Sequence, residues 1–527
     1  MTTSDEINEQ KTSGVHTSYW TESIAPLSFK KIRSETATDV LVIGGGIGGL
    51  TTAYCLAKSG KKVIVVEDGF LGSGETGRTT AQITYALDDR YYDIERYFGL
   101  EKTKMVAESH KSALNFIENV INEENIDCNF KRVNGYLFSD PTDKAENLDE
   151  EFEATQRIGL PTEMLYDIPN FIGEYREKCI LFPEQGQFHV MKYLKGLAGA
   201  VLKYGGEIYT ESKASDISRQ GAKVNGFEVN ANHIVVATNS PINDILTMHT
   251  KQWAYRTYVI AVKIPKGKLP YALWWDTGNQ ESKWVAKPYH YVRLEPFDHE
   301  NDLLISGGED HKTGQADEEK LPEEHRYAAL VTWTKKHFPY FTEIVYKWSG
   351  QVMEPIDCLA FLGRNPGDDN TYIITGDSGN GMTHCTIGGV LITDLINGKE
   401  NRWEKIYSPS RMTFKAGGDF ISEVGNMAYK MAKDWMNADI NKPSDLKVGE
   451  GAILSTGLHK LAVYRDENGK LHSCSAVCPH LGGVLQWNAD EKSFDCPLHG
   501  SRFTTDGTVI NGPAISDLTK VDVRDDE

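Results

Sequence analysis

TDVLVIGGGIGGLTTAYCLAKSGKKVIVVED, residues 38–68, decides the first part of the fold. DVLVIG is a short apolar run of buried-strand type, LTTAYCLAKSG has helical periodicity and ends on Gly60, and KKVIVVE reads as a second buried strand. The unit is β-α-β, with its glycines where the first strand hands over to the helix. Gly44, Gly46 and Gly49 satisfy G-x-G-x-x-G with Gly48 between them, and Glu67 closes the second strand about 20 residues further on. Gly44 permits the tight turn, and Gly46 lets backbone approach a pyrophosphate at the positive end of the helix. Gly49 allows close helix–strand packing, and Glu67 accepts from a ribose hydroxyl. NAD and FAD share this motif, so it does not choose between them.

Working outward, HVMKYLKGLAGAVLKYGGEIYTE (189–211) repeats the helix–Gly–strand pattern, and HIVVATNSP (233–241) reads as another buried strand ending in a polar turn. Aromatic and alternating stretches such as TYVIAVKIP, ALWWDT, YHYVRLEP and DLLISGG suggest an antiparallel sheet. The fold class expected is a Rossmann-like α/β FAD-binding or NAD-binding domain with an antiparallel-sheet substrate domain (α+β), followed by a small all-β domain. The nucleotide-binding part is discontinuous over 36–130, 180–250 and 346–415, and the substrate part covers 131–179 and 251–345. A helical linker over 416–445 ends at the turn NKPSD, and residues 446–527 form the all-β domain. Residues 1–35 are polar and read as a mobile or loosely docked arm with Trp20 as a possible anchor.

Composition sets limits on partners. A chain of 527 residues exceeds what one core usually organises, and its formal net charge of −19 argues against nucleic acid. No apolar run approaches the roughly 18 residues of a membrane span, and the polar start lacks a secretory h-region, so a soluble cytoplasmic protein is expected. Eight cysteines are too sparse for a disulfide framework, and they cluster only at Cys474, Cys478 and Cys496.

That cluster belongs to CPHLGGVLQWNADEKSFDCPLHGSRF (478–503), in which Cys478-x-His480 is followed after 15 residues by Cys496-x-x-His499. Pro and Gly flank each Cys-His pair, so each pair forms a tight loop tip. Structural zinc sites space their ligands as C-x2-4-C and H-x3-5-H, which this pattern does not match. The segment resembles Rieske [2Fe-2S] proteins, in which two thiolates hold one iron and two imidazoles the other. The resemblance covers 446–527 and makes Cys478, His480, Cys496 and His499 the metal ligands, with Cys474 a bystander. Gly483 and Leu498 stand where high-potential relatives carry a disulfide, and Phe503 replaces a Tyr hydroxyl, while Ser501 is kept. A potential in the lower half of the range of about −150 to +300 mV is expected.

Residues 36–415 resemble the D-amino-acid-oxidase-like flavoproteins of the glycine and sarcosine oxidase type. The resemblance rests on the glycine motif, on GSGETGRTTAQIT, on VVATNS with Thr238, and on TGDSGNGMTH. It implies FAD, with Gly77, Arg78, Thr79, Thr80 and Ala81 beside the pyrophosphate and flavin. By the same analogy Gly376, Asp377, Gly379, Gly381, Met382 and Thr383 line the ribityl chain and the pyrimidine edge. Gln82 and Met353 stand where some relatives tether the flavin covalently, so non-covalent FAD is expected, with Cys358 and Cys385 as buried thiols.

A flavin takes electrons in pairs and the cluster takes them singly, so the pairing reads as an amine or amino-acid dehydrogenase that passes single electrons to an acceptor protein or quinone. The alternatives are a reductase in which the cluster feeds the flavin, and a carrier or sensor without turnover. An amino-acid carboxylate wants a bidentate Arg near a Tyr or His. The candidates are Arg256 with Tyr255 and Tyr258, and Arg293 with His290 and Tyr291, while His384 opens the late helix. WWD (274–276) is cavity wall or core. Every residue assigned to flavin and substrate precedes residue 445, so a chain ending there is expected to keep its FAD. The sequence does not indicate an oligomeric state.

Overall fold

The computed structural model describes residues 13–168, 178–243, 248–282, 287–315, 326–412, 438–456 and 459–523, with positions 425, 430, 431 and 433–436. Thr36–Ile43, the strand before the glycine turn, is the centre of a sheet. It pairs in parallel with Val63–Val66 on one side and Phe227–Val236 on the other, and Glu207–Tyr209 and Thr371–Thr375 extend the parallel order outward. Strands buried on both faces read as unbroken Val/Ile/Leu runs, which is why DVLVI, VIVV and HIVV carried no alternation. The helices Ile47–Lys58, Val190–Lys203 and Gly381–Ile396 pack on this sheet and bury their apolar residues in the main core.

The second sheet is mostly antiparallel and runs in the order Glu343–Pro355, Gln252–Pro265, Asn301–Lys312, Tyr291–Pro296, Ala272–Asp276, Lys131–Phe138, Cys179–Gln187, Gln82–Ile83. Glu343–Pro355, which the sequence reading divides at 345/346, lies whole in this sheet, paired along Gln252–Pro265. The division fails because nothing in its composition marks a change of partner, and cross-strand pairing decides membership.

Residues 13–35 correct the loose-arm expectation. Trp20 is fully buried, and its indole N–H donates to the carbonyl of Thr79 at 2.6 Å. Burying one Trp contributes roughly 5 kcal/mol by area, more than the roughly 1–2 kcal/mol of ordering a residue. The Arg78 guanidinium donates to the carbonyls of Gly14 and His16, so the segment is pinned under the loop that follows Glu67.

The C-terminal part folds as a three-stranded sheet (Gly451–Thr456, His459–Arg465, Leu471–Ser475) and a four-stranded sheet (Gln486–Asn488, Ser493–Asp495, Arg502–Thr504, Val509–Asn511). Of the 416–445 linker, positions 425, 430, 431 and 433–436 are described and helical, and 438–445 lead through the turn Pro443–Asp445 into the C-terminal sheets. The two parts are joined by buried charge. Glu491 is fully buried and ion-paired to Arg256 at 3.5 Å and Arg502 at 3.9 Å. Among the described residues no helix is long and apolar enough to cross a membrane.

Candidate functional site

A cavity of about 1090 Å³ opens at the carboxyl ends of the parallel strands. Gly44, Gly46, Gly48, Glu67, Arg78, Thr79, Thr80, Thr238, Asp377, Gly379, Gly381 and Met382 all line it. Gly44 has φ +112° and a side chain there would meet the carbonyl of Ala237 at 2.3 Å, so only glycine makes the turn. The Thr76 hydroxyl accepts from the amide of Ile47 at 3.1 Å, at the start of the helix. Glu67 accepts from the amides of Gly45 at 2.7 Å and Gly69 at 2.9 Å. Burial, with Asp68 beside it, pushes Glu67 up to about 8 against those two bonds.

The remaining five assigned positions support this wall from behind. A side chain on Gly49 would strike the carbonyl of Gly44 at 2.0 Å, and one on Gly77 the carbonyl of Gly72 at 2.3 Å. Ala81 is fully buried at φ +60°, and Gly376 sits against Pro355. Thr383 turns its hydroxyl to Nδ1 of His110 at 2.8 Å. Of the positions considered for a tether, Gln82 lines the cavity and accepts from the Trp275 indole at 2.6 Å, and Met353 is buried outside it. Cys385 also lines the cavity, where burial pushes its thiol well up.

Neither candidate arginine reaches the cavity. Arg256 donates from Nε at 3.0 Å and NH2 at 2.7 Å to the hydroxyl of Ser349, besides its ion pair with Glu491. Arg293 donates to the carbonyls of Thr80 at 3.1 Å, Ala81 at 2.8 Å and Phe188 at 3.0 Å and pairs with Glu295. Arg293 is committed to backbone carbonyls and Glu295, and Arg256 is turned to Ser349 and Glu491, away from the cavity. Tyr258 donates to Nε2 of His311 at 3.0 Å, and Tyr255 is buried away from the cavity. His290 stacks on Trp333 between Asp276 at 2.7 Å and Glu309 at 3.2 Å. In the WWD segment Trp274 packs on Phe338, Trp275 lines the cavity and Asp276 holds His290. His384 does line the cavity; its Nδ1–H donates to the carbonyl of Asp377 at 2.9 Å, and burial lowers it to about 4, so the ring is neutral.

The residues that sequence reasoning missed are carboxylates. Asp88, Asp310 and Glu354 line the cavity beside Thr257, Tyr289 and Tyr291. The Tyr289 hydroxyl donates to Asp88 at 2.5 Å, and the Ser378 hydroxyl to Glu354 at 2.8 Å. Burial pushes Asp88 and Asp310 up to about 7 and Glu354 well above the carboxylate range. The cationic side chains among the lining residues are Arg78, Lys213 and Lys492. All three lie toward the C-terminal domain: Lys213 donates to the carbonyl of Ile515, and Arg78 faces Glu491. No local motif marks these acids, because they come from three separate segments.

The C-terminal domain also walls the cavity, through Tyr464, Glu491, Lys492 and residues between Thr504 and Ile515. Residues beyond 445 therefore line the cavity as well, where the sequence reading assigned none.

The four expected metal ligands lie on two matched turns. The Cys478 amide donates to the carbonyl of Gly483 at 2.9 Å, and the Cys496 amide to that of Ser501 at 2.7 Å. The two thiols are within hydrogen-bonding distance, and the Cys496 thiol holds Cys478 down to about 7, with help from the amides of His480 and Leu481 and from Ser501. The rings of His480 and His499 stand 5.0 Å apart. Nδ1 of His499 is buried with no hydrogen-bond partner, and burial lowers the ring to about 3, so it stays a neutral ligand. Among the described residues no three His, Cys, Asp or Glu converge on one point, and a binuclear cluster with two protein ligands per iron does not require it. Two adjacent thiols, a buried orphan imidazole nitrogen and a second imidazole fit such a cluster. Gly483 and Leu498 lie against each other, and Phe503 is fully buried with no hydroxyl to offer.

Residues 39–395 match the DAO family of FAD dependent oxidoreductases, and residues 436–522 match the Rieske [2Fe-2S] domain. The Rieske 2Fe-2S iron-sulfur protein YhfW of Bacillus subtilis is 31% identical over 519 residues, spanning 96% of this chain and 97% of its own. Gamma-glutamylputrescine oxidoreductase of Escherichia coli is 26% identical over 402 residues, 74% of this chain and 90% of its own. Glycine oxidase from Bacillus cereus superposes with a TM-score of 0.56 at 18% identity, over 72% of this chain and 99% of that one. The chain belongs to the DAO family of FAD-dependent oxidoreductases and carries a C-terminal Rieske [2Fe-2S] domain.

Proposed function

We propose that the protein oxidises a cationic amine at its C–N bond and delivers the electrons singly to an acceptor protein or quinone. The observation that carries this reading is the chamber of Asp88, Asp310 and Glu354; among the described residues the one arginine lining the cavity, Arg78, faces Glu491 on the side of the C-terminal domain. When bound, FAD supplies two-electron acceptance and the cluster one-electron relay. FAD is held without a covalent tether, by the glycine turn, Glu67, Thr79, Thr80 and the Gly379–Met382 turn. Asp88, poised near neutrality and steadied as a carboxylate by the Tyr289 hydroxyl, takes a proton from the ammonium and becomes the neutral acid, leaving the free amine. Trp275 and Tyr291 wall the chamber and exclude water. Arg293 positions the cofactor segment by gripping the carbonyls of Thr80 and Ala81.

Electrons leave by way of the C-terminal ligands. Gln351 lines the cavity, and its amide nitrogen lies 3.3 Å from where a side chain on Gly500, next to His499, would start. Pro479 and Leu481 flank His480 at the surface, where an acceptor can dock. The test is anaerobic mixing of the oxidised protein with two panels, alkyl amines and diamines against α-amino acids. Amines are expected to bleach the flavin band. Bleaching by α-amino acids with none by amines contradicts the reading.

A further inference from the structure

We propose that the C-terminal domain is itself part of the FAD-binding site, closing the dinucleotide cavity over the end where Glu67 stands and locked in place by Glu491. This rests on FAD occupying the cavity and not on the identity of the substrate. The cavity wall beside Glu67 continues through Asp68 and residues 212–217, and the opposite wall is built from Thr504, Asp506, Asn511 and Ile515. The walls are tied together. Lys213 donates to the carbonyl of Ile515 at 3.3 Å, and a side chain on Gly512 would touch Ile242 at 3.5 Å. The Asn511 amide donates at 3.0 Å to Glu75, whose other oxygen accepts from the amide of Gln351 at 2.7 Å. Glu75 belongs to the Glu75–Arg78 turn that also carries Thr76 and Arg78, so the contact from the second domain lands on the cofactor loop itself.

Glu491 fixes the arrangement. It accepts from the amide of Val15 at 3.1 Å and from the hydroxyl of Ser349, and it faces Arg256 and Arg502, with Glu491, Ser349 and both guanidiniums buried. Burial raises its carboxyl, but Arg256, Arg78 and Arg502 outweigh that and hold it below the usual range, so it stays charged. Removing that charge leaves buried guanidiniums uncompensated, which disfavours the docked state far more than loss of a surface pair. A ligand that contacts both walls binds the docked state, so docking slows its release and its binding stabilises docking to the same extent.

Two measurements on the full-length holoprotein test this. The first is the rate of FAD release, read by the fluorescence of the freed flavin, in wild type, Asn511→Ala and Glu491→Gln, each with its cluster intact. The second is the temperature at which the cluster chromophore bleaches, before and after FAD is stripped. The expected results are release at least tenfold faster in Glu491→Gln, a smaller acceleration in Asn511→Ala, and bleaching at a lower temperature without FAD. If Glu491→Gln does not fold, Asn511→Ala and the stripped protein decide. Wild-type release rates in the folded variants overturn the proposal, and so does a bleaching temperature indifferent to FAD. Neither readout uses an amine, so failure here is distinct from failure of the amine assignment.

Discussion

Asp88→Asn tests the acidic chamber most sharply, because the substitution keeps shape and removes one charge. Burial pushes Asp88 up to about 7, so ionising it in the empty cavity costs about 4 kcal/mol relative to a carboxyl in water. A cation held about 4 Å away at an effective dielectric near 20 returns about 4 kcal/mol, an upper bound before the cation's own desolvation. Binding of a permanently charged probe, benzyltrimethylammonium, therefore tightens as pH rises through about 7. The ionised fraction grows from about 3% at pH 5.5 to about 97% at pH 8.5, which predicts a roughly 30-fold fall in Kd. Calorimetric titration should find Asp88→Asn about 10–100-fold weaker than wild type at pH 8.5 and within about threefold of it at pH 5.5. A Kd indifferent to pH, together with an unchanged Kd in Asp88→Asn, refutes the reasoning. The same acids set the sign of stability. Their folded pKa values are raised, so the unfolded chain ionises first. Stability then falls as pH rises from about 4 toward about 7, and Asp88→Asn flattens that slope.

Gly500 has φ +78°, and a side chain there would meet Cβ of Ala254 at 2.2 Å. Gly500→Ala should cost about 2–5 kcal/mol from left-handed backbone and overpacking, seen as a lower temperature of cluster bleaching, and an unchanged temperature rejects that contact. His499→Ala and His480→Ala should each abolish the paramagnetic signal of the reduced cluster while FAD content stays within about twofold of wild type, and a surviving signal removes the imidazole assignment. Acid precipitation should release the flavin into the supernatant, given Gln82 and Met353 at the positions where relatives tether it, and flavin left on the pellet contradicts the non-covalent reading.

What was legible in the sequence was what short spacing encodes. The β-α-β unit could be read because buried parallel strands are unbroken apolar runs and the glycine turn occupies six consecutive positions. Both Cys-His turns were readable for the same reason, each being a local loop. The acidic chamber was not readable, because Asp88, Tyr289, Asp310 and Glu354 come from distant segments that only the tertiary fold gathers. The arginine candidates misled because an Arg beside Tyr or His in a strand looks alike whether it faces a ligand or a buried Glu. Arg256 meets Glu491, 235 positions away in another domain, and no local pattern announces that. The N-terminal segment read as loose because its composition is polar, while Trp20, the anchor named in the sequence, is the side chain that docks it.

The central claim is that electrons enter as a pair from an amine and leave singly by the cluster. Anaerobic stopped-flow mixing of the oxidised full-length protein with a reactive amine tests it most directly, following the flavin band and the cluster signal together. The account predicts that flavin absorbance falls first and that the cluster becomes reduced afterwards, at a rate independent of amine concentration. Reduction of the cluster before the flavin, or faster reduction of the protein by NADH than by any amine, contradicts it.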